Sequence, residues 1–225
     1  MKTRKLFFLL FNLLTIMIYS QDRYSPLYVS PQFEEFDFEK LDSIRYKDEN
    51  WGTETLENGT KIFMKESKKL CTIQISPPNE FFYIKKYFYK NGKIKSKGLG
   101  FVHPGFAKGV WYFYDKRGQL EKTVDYDAPF TFTFEQMLEF AKKEGVIYYK
   151  YPEYLEKPKV DRLTREYNEK TGECWWELEM EVRRPIEEFG NEYQVVFIKV
   201  DGKTGKEISR EYMDGERHIG KEKDY

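Results

Sequence analysis

Two cysteines have the most distinctive chemistry in this chain. Cys71 and Cys174 each share parity with apolar neighbours in a strand-like segment, so both side chains are predicted to point inward. A disulfide between them would close a loop of about 100 residues and could add roughly 4–5 kcal/mol of stability. Two free thiols that pack as small hydrophobes are the alternative, and both remain open. Cys71 and His103 could also pair as nucleophile and base, but no further residue supports such a pair.

Carboxylates are the second group that could do chemistry, as the acid and base of a glycan hydrolase. Glu177, Glu179 and Glu181 alternate along one segment, and Asp125 and Asp127 lie two residues apart. Alternating glutamates are typical of the solvated face of a strand, and no pattern places one of these groups in a pocket. We therefore expect no catalytic residue, with an envelope glycan hydrolase that uses paired carboxylates kept as an alternative.

The histidines and cysteines do not have the spacing of a metal site. His103 and His218 stand far from each other along the chain, whereas a structural zinc site uses ligand pairs two to five residues apart. The turn Gly202-Lys203-Thr204 invites comparison with a phosphate-binding loop, but Phe197 stands where that motif needs a glycine. We expect neither a metal nor a cofactor.

Aromatic side chains give the strongest indication of a binding surface. The chain has 18 Tyr, 19 Phe and 4 Trp, and such rings favour the pleated, half-buried surface of a sheet. Over 82–89 the rings at odd positions are predicted to lie on one face of a strand and those at even positions on the other. A sheet covered on one side only would therefore expose one of these two sets. Rings of this kind are enriched at interfaces. The predicted binding-face aromatics are Tyr83, Tyr87, Tyr89, Trp111 and Phe113.

The first twenty residues have the parts of a secretory signal peptide. Lys2, Arg4 and Lys5 precede a mostly apolar run over 6–18, and Ser20 offers a small residue for cleavage. A membrane-spanning helix needs about 20 apolar residues, so the run is short for an anchor, although a retained anchor is the alternative. We predict export to the periplasm or the exterior, with no stable membrane span after cleavage.

Cleavage would also change the charge balance. The whole chain has 38 basic and 38 acidic residues, and loss of the first twenty leaves a net charge of −3 with the histidines neutral. A nucleic-acid partner would favour a basic surface, so none is expected. The lysines of one basic stretch are predicted to lie on the solvated face of a strand. They are Lys85, Lys86, Lys90, Lys93, Lys95 and Lys97.

Short strand-like segments separated by glycine turns fill 51–130. The turns are predicted at 57–60, 90–93 and 116–119, because Asn-Gly and related pairs favour tight hairpins. The segments YFYKNGKIKSKG at Tyr87 and YFYDKRGQLEKT at Tyr112 resemble each other. Such self-similarity predicts stacked units that bury one another's faces.

These segments also resemble a known family. The run GVWYFY over 109–114, followed by a glycine turn, looks like a MORN-like repeat of the bacterial variant type. The stretch 87–95 matches the same unit, 51–62 is a weaker candidate, and 210–220 has a similar cadence. The resemblance implies a β-hairpin array with an interaction role, and it offers no catalytic residues.

One helix and three strands are predicted for the second half of the chain. Thr133 and Gln136 form a capping box, and Gly145 is a natural stop, so the helix should span about 134–143. The strands are predicted at 160–167, 174–182 and 193–200. A helix followed by strands with an internal tryptophan and the turn VDGKTGK is similar to a PepSY-like module.

The expected fold class is a β-rich α+β protein, with antiparallel hairpin repeats followed by a small helix-on-sheet module. The predicted segments are a signal peptide at 1–20, a lead-in with one short helix at 21–50, the hairpin region at 51–130 and the α+β module at 131–225. The expected function is that of an exported, non-enzymatic binding protein for an envelope or secreted protein or a glycan. An immunity or inhibitor protein against a toxin or protease is the alternative that the two resemblances make possible.

Overall fold

The computed structural model describes residues 27–78, 80–101, 105–145, 160–186 and 190–214. The predicted signal peptide lies outside these residues. The chain divides into two compact units. The first unit has the described residues of Met1–Pro78, Phe82–Leu99 and Tyr112–Lys122, and the second has those of Asn79–Phe81, Gly100–Trp111 and Thr123–Tyr225.

Two sheets and two helices make up the described structure, as the predicted β-rich α+β class requires. An antiparallel seven-stranded sheet keeps its strands in chain order. They are β1 Trp51–Thr55, β2 Lys61–Glu66, β3 Cys71–Ser76, β4 Phe82–Phe88, β5 Ile94–Phe101, β6 Ala107–Tyr114 and β7 Leu120–Asp125. A four-stranded sheet has the order β11-β10-β9-β8, with β8 Val160–Asn168, β9 Glu173–Ile186, β10 Gly190–Asp201 and β11 Glu207–Asp214. The helices are α1 Phe38–Ile44 and α2 Phe134–Lys143.

The predicted hairpin turns and the main helix are confirmed. Gly59, Gly92 and Gly118 have φ of 82°, 83° and 87°, a conformation that glycine adopts at little cost. Helix α2 has the predicted bounds and capping box, with Gln136 N donating to Thr133 Oγ1 at 3.3 Å. Strand β11 has no counterpart among the predicted strands, because its pattern of exposed Ile208, Tyr212 and Met213 lacks a buried alternation.

Each unit has its own apolar core. In the first unit α1 begins at the N-cap Asp37 and packs Leu41 against the sheet. In the second unit the predicted period-two alternation of β9 is confirmed, since Cys174, Trp176 and Leu178 are buried. The core cluster of the first unit contains Phe36, Leu41, Met64, Cys71, Phe88, Ile94 and Tyr114.

A buried lysine ties the lead-in to the first sheet. Lys97 has no exposed surface, and its Nζ donates to Gln32 O at 2.5 Å and to Glu34 Oε1 at 2.6 Å. Lys86 Nζ donates to the other oxygen, Glu34 Oε2, at 2.5 Å. The Lys97 ammonium also lies 5.7 Å from the centre of the Tyr114 ring. The prediction that Lys86 and Lys97 lie on a solvated face is therefore wrong, because Glu34 supplies an inward carboxylate for both.

Backbone hydrogen bonds continue this attachment. Phe36 N donates to Gly92 O at 2.7 Å, and Ile94 N donates to Glu34 O at 3.1 Å. The Tyr114 hydroxyl donates to Pro31 O at 2.8 Å. Burial, with a smaller effect of Glu34, raises the pKa of Tyr114 to about 12, so this hydroxyl remains a donor at neutral pH. The lead-in is thus a structural part of the first unit.

The Glu34–Lys97 pair predicts a pH-dependent contribution to stability. Burial alone would raise the pKa of Glu34, but the hydrogen bonds from Lys86 and Lys97 lower it below its ordinary value of 4.5. The Glu34 contribution is therefore complete above pH 4.5 and is lost as the pH falls further. Glu34→Gln should reduce the free energy of unfolding at pH 7 by about 2–3 kcal/mol, since Lys97 then lacks a buried counter-charge.

Urea unfolding of the wild type and of Glu34→Gln at pH 7 and at pH 3 measures this effect. The difference between the two proteins should be large at pH 7 and smaller at pH 3, because below the ordinary pKa of 4.5 the unfolded state takes up a proton at Glu34 more readily than the folded state does. Glu54→Gln is the control, because its partner Lys40 leaves it in a half-exposed pair worth at most about 1 kcal/mol. A difference for Glu34→Gln that does not change with pH would contradict the assignment.

Candidate functional site

The side of the first sheet that faces away from its core is the candidate site. Partners across antiparallel strands lie on the same face, and Cys71 pairs with Phe88 on the core side. The intervening pair, Thr72 and Tyr87, therefore lies on the opposite side. We name this side of β1–β4 the open face. Its twelve residues are Trp51, Thr53, Thr55, Lys61, Phe63, Lys65, Thr72, Gln74, Ser76, Tyr83, Lys85 and Tyr87.

Charge is distributed unevenly between the two faces. The open face has three lysines, and none of its twelve residues is acidic. The carboxylates of β1 and β2, Glu54 and Glu66, share parity with the core residues and lie on the other side. Lys61 and Lys65 are exposed. The open face therefore presents three lysines and no carboxylate among its twelve residues, although the adjoining Glu49 accepts a hydrogen bond from Trp51 Nε1 at 3.1 Å.

Lys85 lies between two tyrosine rings along β4. Its Nζ is 5.8 Å from the centre of the Tyr83 ring and 5.3 Å from that of Tyr87, within the range of cation–π attraction. Burial alone would lower the pKa of Lys85, but the hydrogen bond with Tyr87 and the nearby Tyr83 hydroxyl raise it above 10.5. Lys85 is therefore charged at every physiological pH.

Further rings form a cluster at the β1 edge of the open face. The ring centres of Trp51 and Phe63 are 5.9 Å apart, and Tyr46 lies 4.7 Å from Trp51. The hydroxyls of Tyr46 and Thr53 are hydrogen bonded at 2.8 Å. The side chains of Trp51 and Phe63 are half-buried, whereas Tyr46 is 48 % exposed. This edge thus presents ring surface beside hydroxyl groups.

The five predicted binding-face aromatics do not form one group. Tyr83 is buried and Tyr87 half-buried, and both lie on the open face. The Tyr89 hydroxyl donates to Tyr114 O at 2.9 Å. Phe113 lies beneath the Nζ of Lys122, at 5.1 Å. Trp111 is buried and belongs to the second unit.

The sequence prediction of binding residues did not include Trp51, Phe63, Lys61 or Lys65, and it placed Lys85 on a solvated strand face without assigning it to binding. A signal for them exists in β2, where Ile62 and Met64 alternate with Lys61, Phe63 and Lys65. The Asn-Gly turn at 58–59 sets the register that pairs Phe63 with Thr53. Those two observations together would have placed the residues on one face.

Both cysteines are free and buried in the structure. They belong to different units, Cys71 to the first and Cys174 to the second. Cys174 Sγ donates to Pro129 O at 3.1 Å. Burial raises the pKa of each thiol. Each side chain thus packs in this structure as a small hydrophobe in its own core, the second of the two arrangements that the sequence left open.

The carboxylates considered for hydrolysis have other roles. Asp127 Oδ1 lies 2.7 Å from Arg165 Nη2, as an ion pair rather than an aligned hydrogen bond, and Oδ2 lies 3.5 Å from Lys108. Burial alone would raise the pKa of Asp127, but the positive charges of Arg165 and Lys108 outweigh burial and hold the pKa below its ordinary value. A general acid needs the opposite shift. Glu177 is exposed and accepts a hydrogen bond from Trp175.

Comparisons with known proteins do not add an assignment. No family model, no curated protein and no solved structure matches the chain. The described residues contain no group of three or more His, Cys, Asp or Glu side chains that could hold a metal ion. His103 and His218 lie outside the described residues. Neither of the two helices in the described part of the chain, α1 and α2, is long and apolar enough to cross a membrane.

Thiol titration tests the state of the two cysteines. Unfolded in urea without a reductant, the protein should react with two equivalents of a thiol reagent per chain. The native protein should react far more slowly, because burial protects both sulfur atoms and holds their pKa high. Cys71→Ala and Cys174→Ala should each remove one equivalent. No reaction in urea until a reductant is added would show a disulfide instead.

Proposed function

We propose that this chain is an exported, non-enzymatic binding protein whose site is the open face. The observation that carries the proposal is a sheet face that joins half-buried rings to three lysines with no carboxylate among its twelve residues. Solvated protein surfaces commonly intersperse both signs of charge, whereas the charged side chains among these twelve residues are all positive. Rings held in this way expose contact area at low cost in conformational entropy.

The export part of the proposal rests on the sequence. The basic residues, the apolar run and the small residue at Ser20 meet the requirements of a signal peptide. Export would bring the open face into contact with the envelope and the outside. The partner would then be another envelope or secreted protein or a cell-surface glycan.

Cell fractionation tests export. The full chain, expressed in its native host, should be recovered from the periplasm or the medium, with a new N-terminus at Gln21. Lys2→Glu, Arg4→Glu and Lys5→Glu together should retain it in the cytoplasm, since they remove the basic segment. Lys47→Glu, Lys68→Glu and Lys116→Glu are the matched control with the same change in charge, and they should leave export intact. Recovery of the unchanged protein from the cytoplasm alone would contradict the proposal.

Retention of envelope components tests the open face. The protein should retain a specific component, and Phe63→Thr with Tyr87→Thr should reduce retention about tenfold or more, as loss of interface rings does. Threonine preserves the strand propensity of both positions. Tyr167→Thr with Tyr212→Thr is the control, because these rings are 46 % and 55 % exposed on the other sheet. Equal retention by both double variants would refute the open face as the site.

A further inference from the structure

We propose that the ligand of the open face is an anionic polysaccharide, with carboxylate or sulfate groups at regular intervals. This inference rests on the proposed function and names the class of its ligand. Three properties of the open face support it: the sign of its charge, the spacing of its lysines and the polar groups between its rings. Each of the three follows from the strand register.

The lysines are spread over the open face rather than clustered. Lys61 and Lys65 are four residues apart on β2, which corresponds to about 13 Å along the strand. Lys85 lies on β4, two strands away, which corresponds to about 10 Å across the sheet. Separations of this size suit an extended chain with one charge for every two sugar rings. A single phosphate or carboxylate would need ammonium groups that converge on one point.

Polar side chains fill the surface between the rings. Strand β3 presents Thr72, Gln74 and Ser76 along its length, and all three are half-buried. Their hydroxyl and amide groups can both donate and accept hydrogen bonds, as sugar hydroxyls do. The rings of Phe63 and Tyr87 flank this row and offer flat apolar surface to the C–H groups of a sugar ring.

A protein partner fits the same surface less well. Lysine is depleted in the cores of protein interfaces, yet three of the twelve open-face residues are lysines. A single-stranded nucleic acid would need rings open enough for bases to stack, and Tyr83 is buried.

Calorimetric titration of the mature protein tests the inference. The probes are a hyaluronan octasaccharide, which has one carboxylate for every two sugar rings, a chondroitin sulfate octasaccharide, which adds one sulfate for every two rings, and neutral malto-octaose. At least one anionic probe should bind more tightly than the neutral one, and its affinity should fall as salt is added. Lys61→Gln, Lys65→Gln and Lys85→Gln together should weaken that binding about tenfold.

A second triple variant is the matched control. Lys47→Gln, Lys68→Gln and Lys116→Gln change the net charge equally, and all three side chains are exposed outside the open face. This variant should bind the anionic probe as the wild type does. Thermal unfolding confirms that both triple variants are folded. Equal losses in the two variants, or no binding of either anionic probe, would overturn the inference.

Two further probes separate the alternatives. Poly-glutamate represents an acidic protein segment and an oligo-deoxythymidine represents a single-stranded nucleic acid, and tighter binding of either would overturn the polysaccharide assignment. Failure here is distinct from failure of the proposed function. If Phe63→Thr with Tyr87→Thr abolishes retention of an envelope component while no anionic glycan binds, the open face remains the site and the ligand class is wrong.

Discussion

The buried ammonium group of Lys97 determines how the first unit is put together. An amine with no exposed surface must be paired, because its desolvation would otherwise cost several kcal/mol. The partners come from the lead-in, where Gln32 offers a carbonyl and Glu34 a carboxylate. Glu34 also accepts from Lys86, so one carboxylate serves two cations. The lead-in is thereby held against the sheet before α1 begins.

That attachment has a consequence for the opposite side of the sheet. Because the lead-in and α1 cover the core side, the apolar residues of β2 and β3 are committed to it, as Met64 and Cys71 show. A strand has a side-chain period of two, so its remaining residues must lie on the open face. The lysines and rings there are consequently held in a fixed order. A preorganised surface loses less entropy when a ligand binds than a flexible one does.

The second unit uses a cation in a similar way. The Arg165 guanidinium lies 4.9 Å from the Phe106 ring centre and 4.8 Å from that of Phe130. Its carboxylate partner is Asp127. Burial lowers the pKa of Arg165 in spite of that partner, which shows how far it is removed from water. In each unit a buried cation is stabilised by aromatic ring contact and by a carboxylate. These contacts join segments that are distant in sequence.

Local patterns were sufficient to predict much of the fold. The Asn-Gly turn at 58–59, the capping box at Thr133 and the alternation around Trp176 are each decided within a few residues. The predicted hairpins, helix and three of the four strands of the second sheet follow from them. Strand β11 did not, since its place depends on pairing with β10 rather than on its own pattern.

The site was only partly predictable, and the reason is physical. The sequence by itself determined that rings and lysines alternate with apolar residues from 61 to 89, and hence that each strand has two unlike faces. Which face is covered was decided by tertiary structure, through a carboxylate at Glu34 that lies 63 residues before Lys97. Lys85 and Lys97 are both lysines in strand-like segments of the sequence, yet Lys85 lies on the open face and Lys97 is buried. Only the folded chain, which brings Glu34 to Lys97 and leaves Lys85 to its tyrosines, could separate the two.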